Sequence, residues 1–275
     1  MLGALRECGA WAAVANWDDE QIDWRSFDLA LLRSTWDYSL RFAEFRIWAE
    51  RVATQTRLLN PLTVVTWNTN KHYLAQLAAA GVPIVPTRFI EPGDDAEAAI
   101  DEFVRLHATA EFVAKPAVGS GSRDVQRHPR AAREAIRAHA DRLLAGGRSV
   151  FLQPYFERVD TDGETALIYF SGRFSHAIRK GPLLRAGEGP TPLLFAPEEI
   201  TPRTPGADEL EIGARALEVS PGAPLLYTRV DLIRDEEGRP RLLELELTEP
   251  SLFFSHAPGS AQRFAREILR ACSAR

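Results

Sequence analysis

Little in this sequence points to an extracellular, membrane or nucleic-acid setting. It has only two cysteines, Cys8 and Cys272, too few for a disulfide framework and without metal-ligand spacing. No apolar run reaches membrane-spanning length, and the opening MLGALRECGA lacks a signal peptide's basic start and apolar core. A basic excess is also missing. The formal net charge is -5, so no nucleic-acid footprint is expected. Acids and bases are interspersed rather than blocked, which excludes a polybasic membrane patch. There is no internal repeat and no low-complexity tract. These absences predict a cytoplasmic globular protein.

What is present is ordinary core material and a strand–helix rhythm. With 275 residues, 45% hydrophobic and 26% charged, the chain can build one multi-lobed unit or two domains. MLGALRECGA predicts a helix ending at Gly9, WAAVAN a short strand, and FDLALLRS (Phe27 to Ser34) a second, buried strand. Phe42, Phe45, Trp48, Ala49 and Val52 recur at helical spacing. This alternation predicts an α/β layer with a parallel sheet. LLNP reads as a loop, and Asn70 as the cap of a helix KHYLAQLAAAG. Strands follow in VPIVPTRFI, EFVAKPAV, SVFLQPYFE, ETALIYF and SHAIRKGP, with helices over DDAEAAIDEFVRLH and HPRAAREAIRAHADRLLAGG. Gly181 to Pro224 is loop-rich, and PLLRAGEGPTPLLF within it is expected to be mobile. Near the end, DEEG turns VDLIR into PRLLELEL as a hairpin, and PGSAQRFAREILRAC closes the chain as an amphipathic helix.

RLLELELTEPS carries the strongest chemical signal. Strand alternation puts Leu243, Leu245 and Leu247 on one face and Glu244 and Glu246 on the other, the two acids roughly 7 Å apart. The hairpin brings them beside Asp231, which follows Arg229 by two residues. Packed carboxylates raise one another's pKa unless a cation neutralises them, and hard oxygen ligands suit Mg²⁺ held with a phosphate. A solvated sheet face balanced by Arg229 or Arg241 is the alternative that spacing leaves open. Upstream, FVAKPAVGSGSRDV ends an apolar strand on Lys115 and follows it with Gly119, Ser120, Gly121 and Ser122. Such a loop lets backbone N–H groups approach phosphate oxygens, although a plain hairpin has the same composition. Lys71 opens a helix after NTN, where a surface lysine would also serve. FLQPYFE offers apolar walls and exposed backbone groups for a flat ring, or an aromatic edge strand. Glu164, in DGE, is either a ribose acid or a turn acid.

In this order, these features resemble the ATP-grasp ligases, from about Asn60 to the C-terminus most clearly. The variant ELE-x-x-EPS, with STWDY and SHAIRK, looks closest to the group containing the cycloserine-forming O-ureidoserine cyclo-ligase. The resemblance implies an ATP-grasp fold, α/β overall and α+β in its ATP-binding lobes. A short N-terminal α/β domain (1–85) would precede a small lobe with the glycine-rich loop (86–150) and a C-terminal lobe with the metal site (151–275). Because Met1 opens directly on a helix, either the family's first strand is absent or the true start lies upstream. Residue by residue, the resemblance puts Lys71, Lys115 and Gly119 to Ser122 on ATP phosphates. It places Gln153, Tyr155 and Phe156 at adenine, and Glu164 at ribose. Asp231, Glu244 and Glu246 would hold Mg²⁺ (or Mn²⁺), and Arg229, Arg179 and Lys180 would act at the transferred phosphate. Glu246 departs from the family's usual asparagine.

Arg33, Thr35, Trp36, Asp37 and Tyr38 follow a strand's C-terminal end, where open α/β sheets bind ligands, so they are substrate candidates; a helix cap is the alternative. His256 is a weaker one, and Trp11, Trp17 and Trp24 read as packing residues. The implied activity is ATP- and Mg-dependent ligation of a small-molecule carboxylate, through an acyl phosphate, to an amine or similar nitrogen, within one molecule or between two. The resemblance also allows a homo-oligomer. Two alternatives share the fold: a non-catalytic ATP-binding regulator and a small-molecule kinase.

Overall fold

The structure is a computed structural model that describes residues 1–184 and 199–273. The N-terminal part contains α1 (Leu2–Glu7), β1 (Leu29–Leu31), α2 (Phe42–Ala53), β2 (Arg57–Leu59), α3 (Leu62–Asn68) and α4 (Tyr73–Ala79). β1 and β2 pair in parallel, Leu29 opposite Arg57, with α2 as the crossover. The apolar stripe of α2 closes an aromatic core: Phe45, Ala49 and Val52 are fully buried, and Trp17 and Trp24 pack edge-on against the helix.

Two expectations fail here. WAAVAN forms no strand; Trp11 and Val14 are 77% and 78% exposed, and without a partner strand an extended segment has no ladder to join. LLNP is not wholly a loop, because Arg57, Leu58 and Leu59 form β2. Among the described residues the parallel sheet is this pair, and the larger sheets are antiparallel.

The next layer holds β3 (Arg88–Ile90), α5 (Ala96–Leu106), β4 (Glu111–Pro116), β5 (Gln126–Pro129), α6 (Arg133–Ala145) and β6 (Val150–Pro154). Its strands run β3-β6-β4-β5, and α5 and α6 cover one face through Ile100, Phe103, Ile136 and Leu143. Asp95 caps α5 by accepting from the Ala98 N–H at 3.0 Å.

The last layer has α7 (Val159–Asp162), β7 (Glu164–Phe170), β8 (Arg173–Lys180), β9 (Ile200–Arg203), α8 (Ala207–Val219), β10 (Tyr227–Arg234), β11 (Pro240–Glu246) and α9 (Ser260–Ser273), with sheet order β11-β10-β7-β8-β9. The stretch read as loop-rich thus contains a 13-residue helix, α8, whose Ile212 and Ala216 pack under Leu167 and Val230. The segment expected to be mobile falls, from residue 185 on, outside the described residues. On the opposite sheet face α9 covers Ala166, Ile168 and Phe170 with Phe264 and Ile268.

β11 lies at the sheet edge, yet its outer groups are satisfied by the N-terminal half. Asn68 donates to Leu245 O at 2.7 Å and accepts from the Leu247 N–H at 2.8 Å. The Tyr73 hydroxyl donates to Leu245 O at 3.0 Å and accepts from its N–H at 2.9 Å. Asn60 donates to Tyr227 O and Leu247 O and accepts from the Leu226 N–H. Leu242 N–H donates to Pro83 O, and Val85 N–H to Leu242 O. An edge strand that would otherwise offer free ladder groups is thereby closed.

Candidate functional site

Register sets the site. Asp231 stands opposite Glu244, and Arg229 opposite Glu246. Residues directly opposite in an antiparallel pair share a face, so the four side chains form one charged patch. Glu164 and Lys180, paired across β7 and β8, extend it. Gly163 makes that possible: its φ is 69°, and a Cβ there would collide with the Lys180 carbonyl.

A bulge alters the other expected face. Asp231 pairs with Glu244 but Leu232 with Leu242, so Leu243 is the extra residue. Leu245 and Leu247 enter the core as predicted, beside Leu242, whereas Leu243 turns into the cleft.

The patch floors a cleft also lined by Trp36, Tyr38, Lys71, Lys115, Gly119 to Ser122, and Glu249. Most of its acids meet a lysine or arginine. Lys71 Nζ lies 2.9 Å from Glu244 and donates to Gly119 O at 3.0 Å. Lys180 bridges Glu164 (2.7 Å) and Asp231 (2.9 Å). Arg229 grips Asp231 with two 2.8 Å bonds and also pairs with Glu246. Arg241, the other candidate counter-charge, pairs instead with Asp235 in the hairpin. Burial alone would raise Asp231, but Arg229 and Lys180 hold it down to about 2. Burial also lowers Lys115, partly offset by Glu244 and Glu164. Glu246 is pushed up to about 7 by burial, against Arg229 and helped by Asp231 and Glu244. Glu249 rises to about 8 through burial and the nearby Glu246. Part of the patch is therefore short of positive charge.

That shortage bears on a metal. Asp231, Glu244 and Glu246 offer oxygen donors on one face, the set a hard divalent cation takes. As they stand each is turned onto a lysine or arginine, and among the described residues no three acids, histidines or cysteines converge on one point. The donor chemistry fits Mg²⁺ once an anionic ligand draws the lysines away.

A second, mostly apolar cavity adjoins the first through Lys115, Glu164 and Leu243. Val113, Tyr155, Phe156, Val159 and Ile233 wall it. Gln153 lines it; its Nε2 donates to Thr87 at 3.0 Å, while its Oε1 is buried without a partner. Arg127 stacks on the Tyr155 ring at 3.6 Å. In the glycine-rich loop Gly121 takes a φ of 61°, and the Ser122 hydroxyl is buried without a partner beside the cleft. Ser120 lies 2.9 Å from the Ser39 hydroxyl and donates to Trp36 O, docking this loop on the N-terminal segment.

Several candidates are not brought to the cleft. Arg179 alternates with Lys180 on β8, so it faces away and donates to the backbone oxygens of Asp162 (3.0 Å) and Thr161 (3.2 Å). Asp37 accepts from the Trp17 indole at 3.0 Å. Thr35 is half-buried with its hydroxyl enclosed and unpartnered, and the Arg33 guanidinium lies over the Tyr227 ring, 5.7 Å from its centre. None of these, nor His256, lines the cleft, whereas Trp36 and Tyr38 do. Sequence reasoning missed Leu243, Glu249, Asn68 and Tyr73. Only the acid in TEPS carried a local signal.

Comparison with known proteins bears on the family and the fold. The family model for the N-terminal domain of the D-cycloserine synthetase DcsG matches residues 1–60. The cycloserine biosynthesis protein DcsG of Streptomyces lavendulae is 42% identical across 98% of this chain and 91% of its own. A crystal structure of D-cycloserine synthetase DcsG superposes with a TM-score of 0.91 at 41% identity, covering 98% of this chain and 93% of that one. The ATP-grasp ligase PsnB, solved with a minimal precursor, shares the fold: TM-score 0.66 at 18% identity, over 98% and 93% of the two chains. Among the described residues no helix is long and apolar enough to cross a membrane.

Proposed function

Because the chain belongs to the ATP-grasp ligases, in the family of the cycloserine biosynthesis protein DcsG, we propose that it activates a substrate carboxylate as an acyl phosphate and passes it to a nitrogen, within the same molecule. ATP-dependent ligation follows from that membership. The observation that carries the finer reading is the register that sets Asp231 against Glu244 and Arg229 against Glu246, under Lys71, Lys115 and Lys180.

In this reading adenine lies against Tyr155, Phe156, Ile233 and Leu243, and the orphaned Gln153 Oε1 accepts from its amino group. Glu164 takes the ribose hydroxyls. Lys71, Lys115 and the loop from Gly119 to Ser122 receive the phosphates, where the unpartnered Ser122 hydroxyl finds an acceptor. Lysines that now pair with Glu244 and Asp231 turn to the phosphates, which frees the carboxylates. Mg²⁺ on Asp231, Glu244 and Glu246 (Mn²⁺ as a substitute) would neutralise charge on the phosphate tail. Arg229 and Lys180 hold positive charge at the transfer end of the cleft. The carboxylate oxygen attacks the terminal phosphorus in line and ADP leaves. The nitrogen then attacks the acyl carbon, losing a proton, and phosphate departs. Positioning and charge neutralisation suffice, so no protein nucleophile is required. The docked loop keeps water from an acyl phosphate.

Hydroxylamine trapping tests this. A hydroxamate formed with stoichiometric ADP supports the acyl phosphate. A stable phosphoester without hydroxamate would replace it with a kinase reaction.

A further inference from the structure

Five acids line the cleft: Glu164, Asp231, Glu244, Glu246 and Glu249. Four of them meet a lysine or arginine within ion-pair distance. Glu249 does not. It is 8% exposed and follows the end of β11 by three residues. Its neighbour is the Tyr38 hydroxyl, and the adjoining wall is Trp36, Ser251 and Phe253. Lys71 and Arg33 act on it only at longer range.

An uncompensated carboxylate is costly to bury, and the neighbouring acids show how thoroughly this fold compensates the rest. The exception lines the cleft together with Trp36, Tyr38, Ser251 and Phe253, none of which borders the apolar cavity, and a cation from outside would complete the set. A protonated amino group fits in size and charge, and a nearby hydroxyl offers it a second acceptor.

We propose that Glu249, with Tyr38 beside it, binds the positively charged amino group of the substrate and so determines specificity, orienting the carboxylate that is activated. This rests on the ligase reading above, with Glu249 outside the phosphate and metal set.

Calorimetric binding to the Mg·ADP complex of the full chain tests it apart from turnover. The probes are O-ureidoserine and the same acid without its amino group, 3-(ureidooxy)propanoic acid. The wild-type protein should prefer the amino compound by about 30-fold or more, the lower end for losing one partner of a buried charge pair. Glu249→Gln should erase that preference by weakening the amino compound alone, leaving ADP affinity and deamino binding unchanged. Equal wild-type binding of the two acids, no binding of either, or a preference that survives Glu249→Gln overturns the proposal. The wild-type comparison decides even if the variant misfolds. Failure of the ligase reading shows separately, as absent ADP release in a turnover assay with the amino compound bound.

Discussion

At one end of the cleft Val113, Tyr155, Phe156, Ile233 and Leu243 make a wall with few charges. At the other, acids and cations interlock within a few residues of β10 and β11. An apolar wall offers contact area, to which each side chain contributes independently and modestly. The charged end is held together by compensation, so removing any member strands its partner in a buried setting. Equal-sized substitutions at the two ends should therefore have unequal consequences.

The largest effect is expected at the charged end. Glu244→Gln and Lys115→Ala should each lower substrate-dependent ADP release by about 10²–10³-fold, the usual loss for one electrostatic contact to a reacting group. Near-wild-type turnover in both would erase the contrast. At the apolar end Leu243→Ala should raise the KM for ATP by about tenfold while kcat stays within about twofold, since a few methyl groups of uniform binding are lost. A matching fall in kcat would mean that this wall also positions the phosphates.

A smaller effect concerns pH. The folded-state pKa of Glu249 is raised from 4.5 to about 8, so the native protein holds that proton more tightly. Its stabilising contribution is complete below about 4.5 and disappears as pH rises through about 8. The melting temperature should fall by a few degrees across that window, and Glu249→Gln should flatten the fall in part, with Glu246 supplying the remainder. Asp231, held at about 2, loses its contribution only in stronger acid, so the two trends separate on the pH axis. Smallest of all, Ser39→Ala removes one loop contact and should slow turnover by about two- to tenfold, the range of ~0.5–1.5 kcal/mol. An unchanged rate would make that docking incidental.

The two ends were also unequally legible in the chain. RVD, ELE and AKPAVGSGS are local patterns, and a hairpin assembles the acids without long-range information, so the charged end could be read in advance. Leu243 could not. Simple alternation assigns it to the core, and only the bulge against Asp231 redirects it. The stitching by Asn60, Asn68 and Tyr73 was equally hidden, since their partners lie more than 160 residues away. Helices α2, α5 and α6 were visible because each buries one stripe. Helix α8 was obscured by the proline- and glycine-rich flanks around it, and WAAVAN misled because apolar composition does not provide a neighbouring strand.

The fastening of β11 has one more implication. A slip of this strand by one residue would swap inward and outward side chains along its length, scattering the carboxylates. What prevents it is a set of amide and phenol anchors contributed by the first 73 residues. The opening quarter of the chain therefore acts as an alignment jig for acids carried near the other terminus, and a version shortened to begin at Lys71 would lose the Asn60 and Asn68 anchors and with them part of that alignment.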